Sequence, residues 1–153
     1  MSGFTAMASS KEIILPNEIQ EYNDKRIFDI PNKEFTLYKL DEWEEEGVRQ
    51  AFTMPYIYNI GGVMGGDDYF WVYIEKYMEI GDVLEIISVP NQAYVYEHVN
   101  KILDNPEPIK INVGSLTYEN FLGCFQLNKK NWIEDLKHRT LYTERGITTI
   151  VKY

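Results

Sequence analysis

Six consecutive apolar or aromatic residues, Tyr69-Phe70-Trp71-Val72-Tyr73-Ile74, constrain the fold more than any other stretch of this chain. Apolar at every position, the run demands cover on all sides. It is read as a central strand buried on both faces. Its expected partner is the strand Pro55-Tyr56-Ile57-Tyr58-Asn59-Ile60, joined to it by Gly61-Gly62-Val63-Met64-Gly65-Gly66-Asp67-Asp68. The turn signal Gly81-Asp82 then introduces Val83 to Val89, a third strand rich in β-branched residues.

Around this centre the remaining elements alternate without a regular strand–helix repeat. Asn17, with Gln20 at the box position, predicts a short helix. Lys25 to Leu40 reads as a hairpin turning at Pro31-Asn32-Lys33-Glu34, where proline presets φ and asparagine tolerates the tight backbone. Asp41 caps a helix to about Phe52, with Glu44 closing its capping box and acids filling the positive end of its dipole. Asn91 opens another helix to about Asp104, because Val95, Val99 and Ile102 follow i, i+4, i+7. Ile109 to Val113 is a strand. Tyr118, Phe121, Leu122 and Phe125 repeat at helical spacing and predict a helix from Leu116. Asn131 with Glu134 caps a further helix that turns Ile133 and Leu136 inward, and Ile147 to Tyr153 closes the chain as a strand. Residues 1–11 show no period and are expected to form a flexible arm, with 12–153 as a single α+β domain. The class expected is an antiparallel or mixed sheet with three to four helices packed on it.

With 153 residues and 44% hydrophobic side chains, the chain is long and apolar enough to build its core without a disulfide or metal staple. The single cysteine, Cys124, forbids an intrachain disulfide and suggests a reducing compartment. No apolar run approaches the roughly 18 residues a membrane span needs, and Met1 to Ser10 lacks the basic start of a signal peptide. A cytoplasmic protein is expected, with no membrane partner. Usage of 17 Ile and 11 Asn against 4 Ala is that of AT-rich coding sequence, which points to a low-GC bacterium or its phage.

Candidate chemistry is sparse. The Gly61–Gly66 loop lacks the spacing and lysine of a phosphate cradle, and Asp67 and Asp68 would repel an anion. Those two acids lack the frame of a calcium loop. Cys124 lies between Leu122 and Phe125, where a free thiol acts as a small hydrophobe rather than a nucleophile. His98 and His138 stand 40 residues apart with no second ligand at metal spacing. Lys129, Lys130, Lys137, Arg139 and Arg145 near Trp132 and Tyr142 make a weak nucleic-acid footprint, offset by Glu134, Asp135 and Glu144. No enzyme, cofactor, metal or nucleic-acid partner is expected.

Charge is the informative feature. The chain carries a net −9, and residues 41–85 hold eleven acids against Arg49 and Lys76 alone, which accounts for the whole excess. Carboxylates beside aromatic rings suit an interface with a basic protein, the rings as anchors and the charges for steering. The expected partner-binding residues are Asp41, Glu42, Trp43, Glu44, Glu45, Glu46, Asp67, Asp68, Tyr69, Glu75, Glu79 and Asp82.

In size, acidity and lack of catalytic groups the chain resembles bacterial immunity proteins, which inhibit cognate toxins. The resemblance is one of general character across the chain, so no family residues are carried over. It implies an immunity (antitoxin) protein neutralising a basic toxin such as a nuclease. The alternative is a phage anti-defence protein whose acidic face mimics DNA.

Overall fold

The computed structural model describes residues 3–25, 34–61, 68–90, 94–104, 106–139 and 146–153. Among them the chain forms β1 (Phe4–Ser9), α1 (Asn17–Lys25), β2 (Thr36–Tyr38), α2 (Glu42–Arg49), β3 (Tyr56–Gly61), α3 (Asp68–Lys76) and β4 (Val83–Val89). There follow α4 (Val95–Asp104), β5 (Ile109–Asn112), β6 (Thr117–Asn120), β7 (Gly123–Gln126), α5 (Trp132–Lys137) and β8 (Thr148–Val151). The strands build one mixed sheet in the order β2-β3-β1-β4-β8-β5-β6-β7. Every pairing is antiparallel except β5 with β8. The α+β class holds, with five helices rather than three to four.

Alternation along the central strands produces two cores. Met7, Leu84, Ile86 and Ile150 point to one face, where Ile19 of α1, Phe70, Trp71 and Ile74 of α3 and Leu136 of α5 cover them. Ala6, Ala8, Ile87 and Val89 point to the other, under Val48 of α2 and Val95, Val99 and Ile102 of α4. The buried Glu85 of β4 faces this second layer, and its carboxylate is saturated. It accepts the Thr53 N–H (2.8 Å), the Thr53 hydroxyl (2.9 Å) and the Met54 N–H (2.9 Å), tying the chain after α2 to the sheet.

Three expectations are corrected. Tyr69–Ile74 is the body of helix α3, not a strand, and β3 pairs with β1 and β2 instead. Phe70, Trp71, Tyr73, Ile74 and Met78 are buried while Glu75 and Lys76 are exposed, a helical stripe that an unbroken apolar run conceals. Residues 116–126 form the β6–β7 hairpin, not a helix. Tyr118 and Phe125 are cross-strand neighbours, Phe121 and Leu122 sit at the tip, and Gly123 takes φ +136° there. The expected arm contains β1, whose Ala6, Met7 and Ala8 are fully buried between β3 and β4.

The first strand and most of the turn of the expected Lys25–Leu40 hairpin, and most of the Gly61–Asp68 loop, lie outside the described residues. The second half of that hairpin is β2, which pairs with β3.

Candidate functional site

Helix α2 starts where its capping box places it: the Asp41 N–H donates to Glu44 Oε1 at 3.1 Å. Val48 and Ala51 face the core, and Gly47 faces α4. A Cβ added at Gly47 would collide with the Val95 side chain, so the α2 backbone packs directly on that side chain of α4. This contact fixes what stands beside it. Trp43, one turn before Gly47, is 58% exposed, and Tyr96 on α4 is 47% exposed. The Tyr96 hydroxyl donates to Glu46 Oε2 at 3.3 Å across the seam. Partial burial, then the Glu46 charge, holds the Tyr96 phenol above its ordinary value. Glu42 and Glu46 are exposed, as is Tyr94 just before α4. Glu45 pairs with Arg49 (3.0 Å), the only base on α2.

The other expected residues go elsewhere. Because α3 is a helix on the opposite face, the contiguous acidic segment is divided by the sheet. Tyr69 is half-buried and stacks on Tyr22 of α1, with ring centroids 4.2 Å apart. Glu75 is exposed near the end of α3, Asp68 opens that helix, and Asp67 lies outside the described residues. Glu79 and Asp82 belong to the turn into β4. Asp82 Oδ2 accepts the Glu79 N–H (2.9 Å), and the Lys11 ammonium bridges Glu79 (3.1 Å) and Asp82 (2.9 Å). That pairing, with Asp82 first, holds the Lys11 ammonium above its ordinary value. The structure thus brings together Asp41 to Glu46 and separates them from the rest.

Tyr94 and Tyr96 were not among the expected residues, yet a signal was available. Once Val95, Val99 and Ile102 define the buried stripe of α4, helical phase turns Tyr96 outward.

Elsewhere the reactive groups are dispersed or engaged. The buried His98 has Nε2 2.9 Å from the Ser88 carbonyl, to which it donates. Cys124 is exposed on β7, not buried in an apolar stripe. Arg139 pairs with Asp135 (3.2 Å) and lies over the Tyr118 and Phe125 rings, and Lys137 pairs with Glu134 (3.6 Å). Among the described residues no three His, Cys, Asp or Glu side chains are grouped to hold a metal ion, and no helix is long and apolar enough to cross a membrane. What the α2–α4 surface offers chemically is acceptance: carboxylates for lysine or arginine, and ring faces for cations or apolar stems. Comparison with protein-family models, with curated proteins and with solved structures finds no match for this chain.

Proposed function

We propose that this chain is a non-enzymatic, cytoplasmic inhibitor that binds a basic protein through the outer surface of α2 and α4, and that it acts as an immunity (antitoxin) protein against a basic toxin such as a nuclease. One observation carries the reading. The exposed Trp43 and Tyr96 flank the close contact of Gly47 with Val95 and stand among Glu42, Glu46 and neighbouring carboxylates, with Arg49 as the sole base on α2. Desolvated aromatic anchors ringed by charge are the composition of binding hot spots. Carboxylates that meet cations on a partner raise association rates toward about 10⁸ M⁻¹s⁻¹ at low salt. General size and acidity support the toxin inhibitor over other binders of basic proteins.

The test is capture from the native cell on immobilised chain, at low and high salt. Glu44 is committed to the capping box and Glu45 to Arg49, whereas Glu46 holds only the long, exposed 3.3 Å bond from Tyr96. The informative variant is therefore Glu42→Lys with Glu46→Lys, beside Trp43→Ala. Wild type should retain one basic protein that salt releases. The charge variant should lose most of it, and Trp43→Ala should weaken capture by about tenfold or more. Retention of several unrelated DNA-binding enzymes would replace this reading with DNA mimicry. Retention by the variants equal to wild type would remove the α2–α4 surface from the account.

A further inference from the structure

Among the described residues the last strand of the sheet, β7, pairs on one side only and leaves an open edge. Along β7, Cys124, Phe125 and Gln126 are all exposed, whereas a strand covered on one face would alternate. The Leu127 N–H donates to the Leu116 carbonyl at 2.8 Å, which fixes the phase of the β6–β7 ladder. In an antiparallel pair, bonded and non-bonded residues alternate. The bonded pairs are therefore 127 with 116, 125 with 118 and 123 with 120. Cys124 and Gln126 then turn their N–H and C=O groups away from β6, four polar groups with no partner among the described residues.

Natural edges are usually blunted by lysine, proline or a bulge. Gly123-Cys124-Phe125-Gln126 has none of the three and no charge at all. It adjoins the tip residues Phe121 and Leu122, 82% and 71% exposed. The opposite edge, β2, is three residues long and is followed by Lys39.

We propose that β7 is a self-association edge: a second copy of this chain pairs antiparallel along it, about a two-fold axis through Phe125. The register follows from the outward groups. Cys124 exchanges both its bonds with the partner's Gln126, and Gln126 exchanges both with the partner's Cys124. Phe125 faces the partner's Phe125 at the non-bonded position, where side chains come closest. The buried side-chain row Ile111–Tyr118 already ends at Phe125, which is 37% exposed, so the two-fold continues an apolar row through the axis. On the other face Lys110, Glu119 and Cys124 meet the partner's Gln126 and Thr117, and no like charges oppose.

A second copy is the fitting occupant because the repulsion that −9 imposes elsewhere is absent here. Residues 106–139 carry four acids and five bases, and Asp135 neutralises the Arg139 that lies over Phe125. A four-residue edge covers less than the roughly 1,200 Å² of a tight interface, so the dimer is weak and concentration-dependent. It lies at the far end of the sheet order from β1 and β3, and it stands whether or not α2 and α4 bind a basic protein.

Sedimentation of the full chain over a rising concentration series tests this. Wild type should climb from the 18.0 kDa chain mass toward twice that value. Phe125→Lys sets two like charges opposite each other at the axis and should hold the mass at that of one chain. Tyr38→Lys, on the exposed part of the other edge, should dimerise as wild type does. A nitroxide on Cys124, the only cysteine, supplies an independent readout, because its side chain points to the open polar face and leaves the pairing groups clear. The two labels should broaden each other's spectra at high concentration and sharpen on dilution with unlabelled chain. Should Phe125→Lys fail to fold, this broadening decides. Wild type at single-chain mass without broadening, or a dimer that Phe125→Lys preserves, overturns the proposal and leaves the edge to a strand of some other protein.

Discussion

The two ends of this sheet live under different rules. Strands β1 and β4 are covered on both faces, by α1, α3 and α5 on one side and by α2 and α4 on the other. Strands β5 and β6 are covered on one face only: Ile111 and Tyr118 point into the core, while their neighbours Lys110 and Glu119 are exposed. Doubly covered strands spell continuous apolar runs, singly covered ones alternate. In β4 the one charged residue, Glu85, is kept only because three donors saturate it. At β7 the cover runs out altogether, and the same backbone becomes a surface for pairing.

The largest effect should separate these ends. Ile87→Ala removes a buried side chain between two layers and should cost about 2–5 kcal/mol, read by denaturant unfolding. Lys110→Ala, on the uncovered face of β5, should stay within about 0.5 kcal/mol. Similar losses at both positions would break the comparison, because they would mean that something covers the second face as well.

This contrast explains what the sequence disclosed. Strands β3, β4 and β5, the Asp41–Glu44 box and the inward stripe of α4 were legible, because each follows a local rule of spacing or capping. Helix α3 was not. Buried Phe70, Trp71, Tyr73 and Ile74 lie with the half-buried Tyr69 and Val72, so no polar residue marks the helical period. Strand β1 hid for the opposite reason. Ala and Ser are weak strand formers, and Ala6 and Ala8 are small where the α2–α4 layer lies over the sheet. The spacing of Tyr118, Phe121, Leu122 and Phe125 mimicked a helix because a two-residue turn brings 118 and 125 into register. At the candidate site, α2 and its acids could be read directly. Their separation from Glu75, Glu79 and Asp82 could not, since it depends on α3 crossing to the other face.

A smaller effect should come from the ties that hold the outer helices. The Tyr77 hydroxyl donates to Glu18 Oε1 at 2.6 Å, linking α1 to α3, and the Asn128 N–H donates to Asp135 Oδ2 at 2.8 Å at the start of α5. The first bond, aided by Lys76 against partial burial, holds the Glu18 carboxyl below its ordinary 4.5. The second, aided by Arg139, holds Asp135 below 3.8. A depressed carboxyl stabilises the fold above its unfolded value and loses that contribution as pH falls through the lower folded value. Acidification from about pH 5 to about pH 3 should therefore lower the melting temperature. Carboxyl-carbon NMR should place both midpoints under those ordinary values, and Glu18→Gln should remove part of the pH dependence. Midpoints at the ordinary values would show the ties to be absent in solution.

The smallest effect belongs to Cys124, and its smallness is the sharpest statement about the open end. A free cysteine is usually among the most buried residues of a protein, and substituting one inside a core is felt. Here the thiol is exposed on the uncovered face of β7, beside Glu119 of β6 and one strand further from Lys110. Cys124→Ser exchanges sulfur for oxygen where water already reaches, so unfolding free energy should shift by no more than about 0.5 kcal/mol. A thiol reagent should label the folded chain about as fast as the unfolded one at concentrations where single chains prevail. The pairing along β7 uses backbone groups and Phe125, so Cys124→Ser should also leave the concentration dependence of mass intact. Slow labelling of the single chain would mean that β7 is covered from within, and the sheet would then have no open end to contrast with its centre.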